Sequence, residues 1–243
     1  MTVANLATYP ARRSTLQRVI ERLAPQVGRL NVILNEYSEV PPWDVPQNVH
    51  FILPPSDLKD VGKFFPHVAP NDIVFLVDDD IVYPPDYVAR TLQWLRKMPN
   101  DRYVVGYHGS IYKPCEDRDI LERKVFHFKR KLNFPIVVDQ IGTGTLATWG
   151  RHMPSFDYMR TSQKFVDVRM ARWCLSNNLK PICLPRKEQW LNEIAHDETI
   201  YESYTSCIPP AVEAEIRSFA LRRKQTGKRF NVWVEDLMHK LGT

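Results

Sequence analysis

Apolar positions in the first hundred residues fall into short runs separated by helix-spaced segments. Residues 3–6, 30–34, 49–53 and 73–77 are largely apolar, of strand length, and rich in β-branched side chains. Between the first two runs, Leu16, Val19, Ile20 and Leu23 recur at helical spacing. Ser14-Thr15-Leu16-Gln17, at the start of that stretch, resembles a capping box. A second helix is predicted over 85–97, with Val88, Leu92 and Leu95 on one face and Pro85 tolerated in its first turn. The proline-rich stretch 41–46 reads as a loop, and a short Gly-containing segment, 59–65, leads to the run at 73. Strands alternating with helices predict a layered α/β sheet.

The second half is less regular. Residues 103–109 are strand-like, 118–131 are rich in Arg and Lys, and 136–138 form a short apolar run. Gly142-Thr143-Gly144-Thr145 reads as a turn, 165–178 as a helix and 181–184 as a strand. One or two helices, interrupted near Gly227, are expected over 211–241. No linker divides the chain. The expectation is one domain over 1–210, with a nucleotide-binding half (1–100) and an acceptor-binding half (101–210). A basic helical segment follows over 211–243.

Composition adds limits. The chain has 243 residues, 44% hydrophobic and 25% charged, as in an ordinary globular protein. No apolar run approaches the roughly 20 residues that span a bilayer. The first residues lack the basic-then-apolar layout of a signal peptide, so a cytoplasmic protein is expected. Cys115, Cys174, Cys183 and Cys207 show no Cys-x-x-Cys spacing, which speaks against a zinc site or a disulfide framework. The net charge of +5 suits a phosphate-rich donor, an anionic polysaccharide, an anionic membrane face or nucleic acid. It equally suits a solvated surface with no partner.

Chemistry enters at Asp78-Asp79-Asp80, where the run 73–77 turns abruptly acidic. Clustered carboxylates repel unless a cation sits among them, and hard oxygen donors favour Mg²⁺ or Mn²⁺ bridging a diphosphate. The other reading is an acidic turn ahead of the next helix. Tyr9-Pro10-x-Arg12 offers a ring for a base and a guanidinium for a diphosphate, or a solvated helix start. Asp60 and Lys63 lie one helical turn apart, suited to a uracil N–H and a phosphate or to an exposed ion pair. Gly142-Thr143-Gly144-Thr145 lacks Rossmann and P-loop spacing, and suits a close backbone approach to a sugar or a plain turn. Asp167 stands at a helix start, as a helix-favouring charge or a sugar contact. No Gly-x-Ser-x-Gly or His-Glu-x-x-His competes as an active site.

These segments, in this order, resemble the bacterial heparosan-capsule α-1,4-N-acetylglucosaminyltransferases and the corresponding domain of bifunctional heparosan synthases. The similarity is carried by Tyr9-Pro10-x-Arg12, Lys59-Asp60-Val61-Gly62-Lys63-Phe64, Asp78-Asp79-Asp80-Ile81-x-Tyr83-Pro84-Pro85-Asp86-Tyr87, His108-Gly109, Gly142-Thr143-Gly144-Thr145, Phe165-Val166-Asp167-Val168-Arg169, Pro185-Arg186 and Trp190-Leu191. It fades after His196.

The resemblance implies a GT-A fold with a Rossmann-like nucleotide-binding half and a mixed central sheet. It implies Mn²⁺ or Mg²⁺, UDP-N-acetylglucosamine as donor, and a glucuronic-acid-terminated heparosan chain as acceptor, joined with retention. It makes Asp80 the direct metal ligand with Asp78 beside it, and sets Asp79 against the ribose or sugar. Tyr9, Arg12, Asp60 and Lys63 would hold uridine and diphosphate, and Gly142, Thr143, Gly144 and Thr145 would border the sugar. Asp167 and Arg186 are the expected catalytic residues, the first near the anomeric carbon and the second neutralising the diphosphate. A partner glucuronosyltransferase and the inner membrane face complete the expected surroundings, with nucleic acid set aside. A transferase for another UDP-sugar and a noncatalytic polyanion-binding subunit stand as alternatives.

Overall fold

A computed structural model describes residues 1–114, 121–194 and 209–220. The chain opens with β1 (Thr2–Thr8), α1 (Arg13–Leu23), β2 (Arg29–Leu34) and β3 (Val49–Ile52). After a 3₁₀ turn, Lys59–Phe64, come β4 (Ile73–Val77), the short β5 (Ile81–Val82) and α2 (Tyr87–Lys97). Next are β6 (Tyr103–Gly106), β7 (Gly109–Pro114), β8 (Leu121–Phe126), β9 (Ile136–Val137), β10 (Gln140–Ile141) and β11 (Thr145–Trp149). α3 (Phe156–Met159), α4 (Val166–Ser176), β12 (Lys180–Cys183), β13 (Asn192–Glu193) and α5 (Pro210–Ala220) complete the described elements.

Eight strands form one mixed sheet in the order β3-β2-β1-β4-β11-β6-β12-β9. Strands β1 to β4 run parallel, and β11 is antiparallel to both β4 and β6. This is a single α/β domain. The two expected halves share the sheet, since β6, β9, β11 and β12 extend it beyond β4 without a break.

Burial on both faces explains the continuous apolar runs. Phe75 and Val77 of β4 join Leu16, Ile20, Val88 and Leu95 of α1 and α2 in one core layer. Val74 and Leu76 join Met159, Val166, Met170 and Cys174 on the other side. Cys174 and Cys183 are buried free thiols, whereas Cys115 and Cys207 lie outside the described residues.

Two local expectations are corrected, and the start of the C-terminal segment is placed. The capping box does not form: the turn begun at Pro10 runs into α1, whose cap position is Arg12, without a side-chain cap. Thr15 instead donates its hydroxyl back to the Arg12 carbonyl at 2.9 Å. The run 103–109 is two strands. The Tyr107 and His108 amides both donate to the Thr145 hydroxyl, at 3.0 and 3.1 Å, and turn the chain between β6 and β7. The C-terminal segment begins as core. Ile216, Phe219 and Ala220 of α5 pack on Val168 and Ala171 of α4, and Arg169 Nε pairs with the buried Glu215 at 2.6 Å. Residues 221–243, which carry most of that segment's positive charge, lie outside the described residues, as do 118–120. Among the described residues, no helix is long and apolar enough to cross a membrane.

Candidate active site

Ligands of open α/β sheets bind beyond the carboxyl ends of the strands, where the strand order reverses. Here that place lies between β1 and β4, because β2 and β3 extend the sheet one way from β1 and β4 the other. The antiparallel strand β11 contributes its beginning to the same edge, with Thr145 opposite Val77. The triplet leaving β4 and the Gly-Thr turn entering β11 therefore meet. Tyr83 ties them: its hydroxyl accepts from the Asp78 amide at 2.8 Å and donates to the Gly144 carbonyl at 2.6 Å. Behind the triplet, the Asp80 carbonyl accepts from the Ile194 amide at 2.7 Å, next to the pairing of β13 with β5.

Lys63 reaches this edge from the 3₁₀ turn. Asn5 donates to the Lys63 carbonyl at 2.9 Å and Asn35 to the Lys59 carbonyl at 3.0 Å, so two buried asparagines of β1 and the end of β2 fix the turn. The Lys63 ammonium pairs with the Asp78 carboxylate. Burial, the largest single influence, opposes that charge, but Asp78, Asp60 and Asp167 together raise the Lys63 pKa. Asp60, in the same turn, accepts from the Lys164 amide at 2.8 Å. Burial pushes its carboxyl up, while that hydrogen bond and Lys63 pull it back.

The other two aspartates sit in different surroundings. Asp79 is buried and accepts from the Thr8 hydroxyl at 2.6 Å. Burial pushes its pKa up to about 7 against the pull of that bond. Asp80 is pushed up to about 6 by burial and by the charge of Asp78, with Arg12 opposing. Arg12 Nη2 lies 3.7 Å from Asp80 Oδ2, and the Tyr9 ring lies 5.9 Å from the Arg12 guanidinium carbon.

Asp167, in the first turn of α4, accepts from the Thr143 amide at 2.8 Å. Burial raises its pKa, and the charges of Lys63 and Asp78 both act on it. The fold thus brings Asp60, Lys63, Asp78, Thr143, Gly144 and Asp167 together at the carboxyl end of β4, with Tyr9 and Arg12 beside Asp79 and Asp80. Thr145 contributes through its structural bonds to Tyr107 and His108, and a Cβ on Gly142 would stand 3.2 Å from the His108 ring.

Arg186 is placed differently. It is buried, and its guanidinium donates to the Leu184 carbonyl, the Cys183 sulfur, and the Phe126 and His127 carbonyls. A guanidinium committed to four protein acceptors braces the turn after β8 against β12. Its Nε, also buried, has no hydrogen-bond partner among the described residues.

Several residues of the site carried no sequence signal. Thr8 is an ordinary strand end until Asp79 is placed beside it. Tyr83 is one more aromatic after the triplet. Tyr37, past the end of β2, has a buried hydroxyl with no hydrogen-bond partner and feels the charges of Arg13 and Asp79.

Among the described residues, no three His, Cys, Asp or Glu side chains form a metal cage. A Mg²⁺-type ion carried on a substrate diphosphate needs only one or two protein carboxylates, the phosphates and water supplying the rest. Asp78 and Asp80 suit that arrangement: their side chains remain 38% and 32% exposed, and each holds hard oxygen donors at the carboxyl end of β4. Neither a scan of protein-family models nor a search of curated proteins returned a match to this sequence.

Proposed function

We propose that the protein is a retaining glycosyltransferase of GT-A type that moves N-acetylglucosamine from UDP-N-acetylglucosamine onto a heparosan-type chain. The linkage is α-1,4 and the acceptor is a non-reducing-end glucuronic acid. The observation that carries this reading is the convergence of Asp78, Lys63, Gly144 and Asp167, contributed by four separate segments, on the carboxyl end of β4.

Each residue then has a task. Tyr9 stacks on uracil and Arg12 faces the diphosphate. Asp60 receives the uracil N–H, and Lys63 meets phosphate. Asp79, held by Thr8, faces the ribose. Asp78 and Asp80 would hold Mn²⁺ or Mg²⁺, which supplies Lewis-acid stabilisation of the departing diphosphate. The absence of a side chain at Gly144 lets the turn that borders the sugar lie directly against the Asp78 carboxylate. Asp167, held by the Thr143 amide, orients the acceptor 4-hydroxyl and opposes the positive charge that develops on the sugar. On this reading the enzyme works in the cytoplasm, at the inner membrane face, beside a partner glucuronosyltransferase. Its net positive charge draws in both an anionic donor and an anionic acceptor.

The test is incubation with UDP-N-acetylglucosamine, Mn²⁺ and a glucuronic-acid-terminated oligosaccharide, read by mass. A gain of one N-acetylhexosamine supports the reading. Gain of a different sugar from a panel of UDP-sugars reassigns the donor. Absence of transfer from every donor overturns it.

A further inference from the structure

The carboxyl end of β4 holds an internal cation on one of the carboxylates that a metal would need. Lys63 is the buried partner of Asp78, with its side chain 5% exposed against 38% for Asp78. The charges of Asp60 and Asp167 also act on it. Its backbone is held by Asn5, and a Cβ on the preceding Gly62 would stand 3.0 Å from the Ile33 side chain. The turn is therefore packed closely against β1 and β2, and the lysine side chain is its freest part.

We infer that Lys63 is the resident counter-ion of Asp78 and that it is exchanged onto the donor's diphosphate when a divalent cation takes that carboxylate. The inference rests on the proposed role of Asp78 and Asp80 at a cation–diphosphate site. A cation arriving alone meets a carboxylate already neutralised. Displacing the lysine would leave a buried ammonium without its main partner, which is costly. A diphosphate arriving with the cation removes that cost, because it offers the ammonium new oxygens. Asp78 is open to solvent and Lys63 is not, so the exchange admits the cation without exposing the lysine. Cation and donor affinities become interdependent, and by linkage the dependence is reciprocal.

The test measures Mn²⁺ binding to the full chain by electron paramagnetic resonance, with and without UDP. In wild type, Mn²⁺ alone binds weakly. Lys63→Met keeps the side-chain length and removes the charge, so Mn²⁺ alone should bind at least about tenfold tighter than to wild type. Lys63→Arg, which keeps a cation there, should stay near wild type. Asp78→Asn releases the lysine by the opposite route, and UDP without metal should then bind tighter than to wild type. If Lys63→Met leaves the affinity for Mn²⁺ alone unchanged, or Asp78→Asn leaves metal-free UDP affinity unchanged, the exchange is overturned. If wild type binds no Mn²⁺ even with UDP, the cation-site reading fails, and the exchange with it.

Discussion

Asp78 and Gly144 touch with no space between them: a Cβ added at position 144 would fall 1.9 Å from Asp78 Oδ2. The two residues are 66 positions apart in sequence (144 − 78), and the antiparallel register of β4 and β11 brings them together. Tyr83 holds the Gly144 carbonyl, so the turn has a fixed distance from the carboxylate. Gly144→Ala must therefore displace the Asp78 carboxylate from its place beside Lys63. It should cost about 1–3 kcal/mol of stability, as overpacking does, and abolish Mn²⁺-dependent UDP binding by calorimetry. Gly142→Ala, which meets only the His108 ring, should be the milder change.

Asp80→Ala separates folding from chemistry. Asp80 is repelled by Asp78 but also pairs with the buried Arg12, so its removal should lower the thermal midpoint only slightly. Transfer should fall by about 10²-fold or more if it holds the cation. Full activity in this variant, or in excess chelator, eliminates the metal role.

Asp167→Asn keeps the shape and the acceptor oxygen for the Thr143 amide. A catalytic carboxylate predicts a loss of about 10²-fold or more in turnover with little change in donor affinity. Turnover and UDP binding measured on the same preparation decide it. A wild-type rate removes the catalytic assignment.

His108 predicts a pH dependence of stability. Burial, then the charges of His127, Arg123 and Arg186, push its pKa from 6.5 down to about 3. The folded chain thus binds fewer protons than the unfolded chain between those values. His108 contributes fully above pH 6.5, and its contribution is lost as the pH falls towards 3. Replacing it with Phe keeps a ring against His127 and Phe128. Denaturant titrations should show His108→Phe gaining on wild type below pH 6.5, by up to about 1.4 kcal/mol per pH unit. Asp79, with its pKa pushed up to about 7, acts in the opposite direction over much of that range. The measured quantity is therefore the difference between the two proteins at each pH.

The Arg169–Glu215 pair predicts that α5 is structural. Glu215→Ala leaves Arg169 half-buried without its carboxylate and should cost about 3 kcal/mol. Truncation at residue 210 removes Ile216, Phe219 and Ala220 from the surface of α4 and should lower the thermal midpoint further. A truncated chain as stable as the full one would return the segment to a peripheral role.

Much of the frame was legible along the chain. Strands β1, β2 and β4 lie inside a sheet covered on both faces, so burial demands unbroken apolar runs, and such runs are local. The boundary at Asp78 was visible because a strand leaving the core changes character within one residue. Helix α4 announced itself by length and spacing. Strand β11 did not. Its threonines are polar in the sequence, but in the sheet their hydroxyls bond to backbone: Thr148 donates to the Tyr103 carbonyl at 3.2 Å, and Thr145 accepts from Tyr107 and His108.

The sequence alone determined the apolar strands of the central sheet, the acidic end of β4 and which side chains are able to carry charge. The tertiary structure alone decided the partners. Lys63 looked like half of an exposed pair with Asp60 and instead neutralises Asp78. Arg186, expected to face a diphosphate, has its guanidinium among carbonyls and a sulfur. Asp167 gained its site from an amide in a different loop. Burial follows local periodicity, because each strand or helix must turn one face or both towards the core. Charge pairing follows strand register and the neighbour that fills the remaining space, and these exist only in the folded chain.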